Sequence, residues 1–129
     1  MSFGQAISSV FKNYANFNGR ARRSEFWFFA LFNLIIYLAA SVINYLIAGS
    51  SDTTSIIGII YLLYSLATIL PALAVSWRRL HDIGKSGAYI LFILIPLVGW
   101  IFLLAWFVKD SDMGENRFGP NPKGQYPEY

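Results

Sequence analysis

Seven basic side chains in two short runs are the residues of this sequence best suited to chemistry. Arg20, Arg22 and Arg23 lie in NFNGRARRSEFWFF, and Arg78, Arg79, His81 and Lys85 lie in SWRRLHDIGKSGAY. Arginine meets phosphate or carboxylate through a planar fork of N–H donors, so a convergence of these residues would hold an anionic group. Glu25 and Asp82 would offset only part of the charge, Asp82 by pairing with a neighbouring arginine. The structural alternative for the second run is interfacial architecture, in which Arg78 and Arg79 cap the carbonyl end of a helix and Gly84 and Gly87 turn the chain. Catalysis fits poorly. A phosphate loop would need Gly where Arg79 stands, five positions ahead of GKS, and no strand precedes it. His81 beside Asp82 suggests a metal phosphohydrolase, but one histidine and no cysteine are too few ligands or nucleophile–base partners for that chemistry. Asp110 and Asp112 begin a calcium-loop pattern that fails at Glu115, where glycine is required. The expectation is a non-enzymatic protein with no metal and no cofactor.

The elements that must position the basic residues are hydrophobic. The chain has 129 residues, 56% hydrophobic, 18% aromatic and 13% charged, against roughly 25% charged in an ordinary soluble domain. A water-soluble sphere of this size cannot hide that much apolar surface, and lipid is the economical solvent. Residues 26–48, 55–77 and 88–108 contain no Asp, Glu, Lys, Arg or His. Each is long enough to cross a hydrocarbon core of about 30 Å as a helix, and none alternates like a barrel strand. The expected fold is all-α: a polytopic membrane helical bundle of three transmembrane helices, in one domain, preceded by an amphipathic interfacial helix over 2–17. In that first segment Phe3, Ile7, Val10, Phe11 and Tyr14 recur at helical spacing. Packing of this helix on the ends of the bundle is the alternative.

Orientation follows from Lys and Arg. Four precede the first hydrophobic segment, none lies in GSSDTT at 49–54, and three lie in RRLHDIGKSG at 78–87. The positive-inside rule then makes the amino terminus and the second loop cytoplasmic. A full third span would put the polar tail, 109–129, on the outer side. Pro96 and Gly99, in the middle of that segment, leave a second arrangement open: a re-entrant hairpin that gathers all ten Lys and Arg on one side. The full span is favoured, because membrane helices tolerate Pro and Gly and half-segments are short. NFNG reads as a turn, the arginines emerge at head-group level, and Phe26 to Phe29 form an aromatic belt beneath them. In the tail, GENRFGPNP reads as successive turns that return Phe118 to the interface, and GQYPEY as disordered.

Two polar stripes run through the apolar segments. Asn33, Tyr37, Ser41 and Asn44 share one face of the first, and Tyr61, Ser65, Thr68 and Ser76, with Ala72 between, share one face of the second. Such stripes serve helix packing, since small residues allow close approach and Asn, Ser and Thr bond between helices. A polar passage for a small solute or ion is the functional alternative, although no intramembrane charge supports a coupled pump.

FNGRARRSEFWFF, RRLHDIGKSGAY, IPLVGWI and GENRFGPNP, in that order and spacing, resemble the small bacterial inner-membrane family known as domain of unknown function 805. The resemblance runs from about Tyr14 to Pro122 and departs at Ala88, where similar sequences usually carry an aromatic. It implies a multi-pass protein of the bacterial inner (plasma) membrane and carries over no catalytic residue. The expected partners are the lipid bilayer and its anionic phospholipids, with a homo-oligomer left open. Nucleic acid is not expected at a formal charge of only +3.

Overall fold

A computed structural model describes residues 2–49 and 56–124. Its elements are α1 (Phe3–Lys12), α2 (Arg23–Ala48), α3 (Ile56–Asp82), a 3-10 helix η1 (Gly87–Leu94) and α4 (Val98–Val108). The described chain is all-helical apart from an isolated bridge between Asn116 and Gly119. The expected outer loop at 49–54 lies, beyond Gly49, outside the described residues, as does nearly all of GQYPEY.

α2 and α3 are long and apolar enough to cross a membrane. Their surfaces suit lipid: Leu46, Ile47, Ile56 and Leu63 are more than 60% exposed, which water would penalise. α2 ends on Gly49, whose φ of 68° is the left-handed cap that lets its N–H reach the Tyr45 carbonyl at 2.9 Å.

α3 carries Pro71 in its interior. Proline has no N–H to give the carbonyl four residues back, which strips Ala67 of its helical donor. The Tyr14 hydroxyl donates to that carbonyl instead. α1 is therefore tied to the middle of α3 as well as laid across α2. Ala6 and Val10 are fully buried, Phe3 contacts Phe28 and Phe32, and Phe11 contacts Phe29 and Phe32. Ser2 and Gln5 close a capping box at its start. The helix expected over 2–17 is shorter, because NYAN at 13–16 already begins the turn.

The segment expected to cross as one helix does not form one. Residues 88–108 fold into two arms, η1 and α4, joined at Ile95–Leu97. At the tip the Val98 N–H bonds the Pro96 carbonyl at 2.8 Å across Leu97, whose φ of 63° and ψ of −68° make a γ-turn of the rare positive-φ kind. The arms pack on each other. Tyr89 and Phe92 meet Trp106 edge-on, and the Trp100 indole donates to the Ile93 carbonyl at 2.8 Å. Gly99 permits this closeness, since a Cβ there would land on the Phe92 carbonyl. Gly87 does the same at the base, against the Trp77 ring of α3. The start of η1 and the end of α4 thus lie at the same end of the bundle, where α2 begins and α3 ends.

Candidate functional site

That shared end is held by side chains from the two basic motifs. α3 runs four residues beyond Arg78, placing Arg78, Arg79, His81 and Asp82 in its last turns, and all four are buried. Asp82 is completely enclosed. It accepts Arg20 Nε on Oδ1 at 3.0 Å, Arg79 Nη1 on Oδ2 at 2.9 Å, and the Ser111 hydroxyl. A lone carboxylate in this position would be costly to bury, and two guanidiniums plus a hydroxyl make it tenable.

Arg20 has its donors fully engaged. Besides Asp82 Oδ1 it bonds the carbonyls of Gly114 at 2.8 Å, Gly119 at 3.2 Å, Asp82 at 3.2 Å and Asp112 at 2.7 Å. A guanidinium owns five N–H groups, so nothing is left for a ligand. Arg79 reaches the end of α4, donating from Nε to the Phe107 carbonyl at 3.2 Å and from Nη2 to the Lys109 carbonyl. These carbonyls carry the negative end of the α4 dipole, which positive charge satisfies. Arg79 caps α4 instead of its own helix as expected, because α3 does not end until Asp82.

Arg78 faces the other way. Its Nη1 bonds Glu25 at 2.8 Å and its Nε the Asn16 carbonyl at 3.1 Å, while its own carbonyl accepts the Ala21 N–H at 3.0 Å. Ser9 of α1 completes Glu25 at 2.9 Å. One buried ion pair thus joins α1, the first turn of α2 and the last turns of α3. The His81 Nδ1 sits 2.9 Å from the Gly19 carbonyl, an acceptor, so that nitrogen carries a proton. Its ring lies flat on Phe118, with centroids 3.8 Å apart.

The tail is part of this knot. Sequence reasoning placed Phe118 at the interface and missed Ser111, Asn116 and Asn121. The Asn116 amide donates to the His81 carbonyl at 2.9 Å, Asn121 donates to the Asp112 carbonyl at 2.7 Å, and the Asp112 N–H bonds the Asp82 carbonyl at 2.9 Å. Asx turns, written in GENRFGPNP, were the available signal; their docking site on α3 was not. The tail thus lies at the same end as the start of α2, contrary to its expected place across the membrane. The physical reason is the hairpin, whose second arm brings the chain back.

The seven basic residues therefore converge in part, and mainly onto the protein's own acceptors. Arg20, Arg78, Arg79 and His81 come together as internal bonds. Arg23 and Lys85 remain on the rim. Arg23 is half-exposed, 3.2 Å from the Val108 carbonyl and 3.5 Å from Asp110. The Lys85 ammonium stands 4.8 Å from the Trp106 centroid and 5.3 Å from that of Tyr89. Arg22 is half-buried at the start of α2; its Nε, Ser24 Oγ and Arg78 Nη2 are sealed from solvent without a partner, so no ligand reaches them unless the knot opens. Beside Arg23 a cleft of about 330 Å³ is lined by Arg23, Trp27 and Val108.

The two polar stripes face each other. Asn33 accepts the Tyr64 hydroxyl at 2.8 Å and donates to the Phe29 carbonyl at 3.2 Å, and Tyr37 meets Tyr61 edge-on. Ser65, Thr68 and Ser76 turn back onto carbonyls of their own helix. Tyr64 lies on the same face as Tyr61, Ser65 and Thr68, so the helical period could have found it. Farther from the knot, Tyr37, Ser41, Asn44, Gly58 and Tyr61 line a cleft of about 220 Å³.

Comparisons with known proteins find relatives that are inner membrane proteins. The family model for Protein of unknown function (DUF805) matches residues 14–120. The chain belongs to this family. It is 45% identical over 115 residues to the inner membrane protein YhaI of Escherichia coli K12, covering 89% of this chain and 92% of that one. It is 39% identical over 114 residues to the inner membrane protein YhaH of the same strain, covering 88% and 93% respectively. No solved structure matches the chain.

Proposed function

We propose that this DUF805 chain is a non-enzymatic, two-pass inner-membrane protein whose polar knot faces the cytoplasm and whose rim engages anionic phospholipid. α2 and α3 cross, and the hairpin enters and leaves on one side. All ten Lys and Arg then lie on the knot side, while 49–54 contributes none, the asymmetry that the positive-inside rule associates with cytoplasm. α1 lies at that interface as an amphipathic helix.

The observation that carries the lipid reading is the cleft at Arg23, Trp27 and Val108. A half-exposed guanidinium, an indole and an apolar wall together suit an amphiphile with a phosphate head and an acyl chain. Lys85, over its aromatic pair, and exposed Lys12 and Lys109 extend the positive rim. Native mass spectrometry of the Arg23→Gln, Lys85→Gln double variant tests this. Retention of anionic lipid falls severalfold while retention of zwitterionic lipid holds; equal retention of both lipids by variant and parent refutes it.

The cleft between Ser41, Asn44 and Tyr61 supports a second reading, a passage for a small solute. Against it, the Tyr64–Asn33 bond and the back-bonded hydroxyls occupy the polar stripe nearer the knot. Flux of ions and small solutes into reconstituted liposomes decides the matter, and a silent panel removes the passage.

A further inference from the structure

The knot and the hairpin give the chain a shape that lipid can read. α2 and α3, at about 1.5 Å per residue, are each about 40 Å long. The arms of the hairpin are short: η1, at about 2.0 Å per residue, and α4, at about 1.5 Å, each extend only about 16 Å. That is about half of a 30 Å hydrocarbon core. Standing upright or leaning, both arms stay in the leaflet nearest the knot, because Arg79 ties the end of α4 and Gly87 seats the start of η1 at that end. α1 is in the same leaflet, pressed on Phe28, Phe29 and Phe32 within the first turns of α2.

Among the described residues, five helical segments thus occupy one half of the bilayer and two occupy the other. Taking a helix as about 10 Å wide, the two spans fill about 160 Å² in each leaflet. The two arms and the recumbent α1 add about 300 Å² to one leaflet alone. The surface added by the hairpin is apolar and lipid-facing, since Leu94, Leu97 and Ile101 are each at least 68% exposed. The base cannot collapse, because it is bolted by fully buried ion pairs.

We propose that the chain is a wedge that couples to membrane curvature: its broad, knot-bearing end favours the convex face of a curved bilayer. The ligand in this proposal is the curved lipid surface itself. It rests on the hairpin topology of the preceding section and goes beyond head-group binding, since shape acts without charge.

The test uses two single-cysteine variants of the full chain, Lys12→Cys and Glu115→Cys, which are unique labelling sites because the chain has no cysteine. Each is reconstituted from detergent into small sonicated and large extruded vesicles of uncharged phosphatidylcholine. A membrane-impermeant maleimide then reports the fraction with the broad end outward. The wedge predicts an outward-to-inward ratio in small vesicles about threefold or more above that in large ones, the same for both cysteines. Equal ratios in small and large vesicles, with the two cysteines agreeing, overturn the wedge and leave the topology standing. Cysteines that report opposite sides overturn the topology and the wedge with it.

Discussion

Tyr14→Phe removes one oxygen atom, and its cost follows from a single missing donor on another helix. Pro71 deprives the Ala67 carbonyl of its helical N–H, and the Tyr14 hydroxyl supplies the replacement. Where that carbonyl faces hydrocarbon no water takes over, and it is left bare. Side-chain bonds between membrane helices average about 0.6 kcal/mol and reach about 1.7 kcal/mol. A carbonyl orphaned by proline belongs at the upper end, and the expected loss is about 1.5 kcal/mol. The background Pro71→Ala makes the reasoning sharp. Alanine restores the N–H at position 71, the carbonyl regains its helical partner, and Tyr14→Phe then costs less than about 0.5 kcal/mol. The assay is reversible unfolding in mixed micelles titrated with dodecyl sulfate, read by tryptophan fluorescence. The coupling between the two sites comes from the four-variant cycle. Equal cost of Tyr14→Phe in both backgrounds would mean that the hydroxyl is not the surrogate donor.

Other perturbations separate the knot from its rim. Asp82→Asn leaves the Arg20 and Arg79 charges buried without their shared carboxylate and lowers stability by about 3–5 kcal/mol in the same titration. Arg23→Gln, which breaks a half-exposed pair, costs less than about 1 kcal/mol, and equal losses would contradict the assignment of core and rim. Gly99→Ala drives a Cβ into the Phe92 carbonyl and destabilises the hairpin by about 1–3 kcal/mol. Gly4→Ala, which meets nothing within 4 Å in α1, is neutral or stabilising by up to about 1 kcal/mol. Lys123, the Ser111 N–H and Arg23 hold the Asp110 carboxyl below its usual range. Its contribution to stability is therefore present above the unfolded carboxylate pKa and disappears as pH falls through the lower folded value. Since Asp110 is exposed, that loss is slight, and Asp110→Asn flattens it in an acid titration of unfolding.

Several of these features could be read in the sequence, for identifiable reasons. Long uncharged runs mark α2 and α3 because hydrocarbon excludes charge regardless of the partners a helix finds. The turn at NFNG and the pairing of Asp82 with a neighbouring arginine are local signals and were legible; of the stripes, Asn33 bonds across to Tyr64 of α3, whereas Thr68 bonds back to its own helix. The third segment was favoured as a single span because residues 88–108 satisfy the length test, with the re-entrant hairpin kept as the alternative on Pro96 and Gly99; the structure forms two short helices there, and composition does not record where a helix bends. What turns Pro96 and Gly99 into a hairpin is distant: the Trp77 ring against Gly87, and the need of Arg79 for the carbonyls that end α4. The convergence of Arg20 and Arg78 was foreseen, but not its acceptors. Those of Arg20 come largely from a tail some ninety positions away, whose carbonyls at Gly114 and Gly119 carry no sequence signature, while Arg78 takes Glu25 and the Asn16 carbonyl. The bare carbonyl that Pro71 leaves at Ala67 went unread, and nothing local points to Tyr14 as its partner.

The central claim is that 88–108 enters and leaves on one side, so that the amino-terminal helix and the tail share a face. It is tested most directly in native membranes by labelling Lys12→Cys and Glu115→Cys with an impermeant maleimide, in right-side-out and inverted vesicles. The hairpin predicts that both cysteines react in inverted vesicles and both are protected in right-side-out ones. Reaction of Glu115→Cys in right-side-out vesicles, with Lys12→Cys protected, would make the third segment a full span and contradict the account.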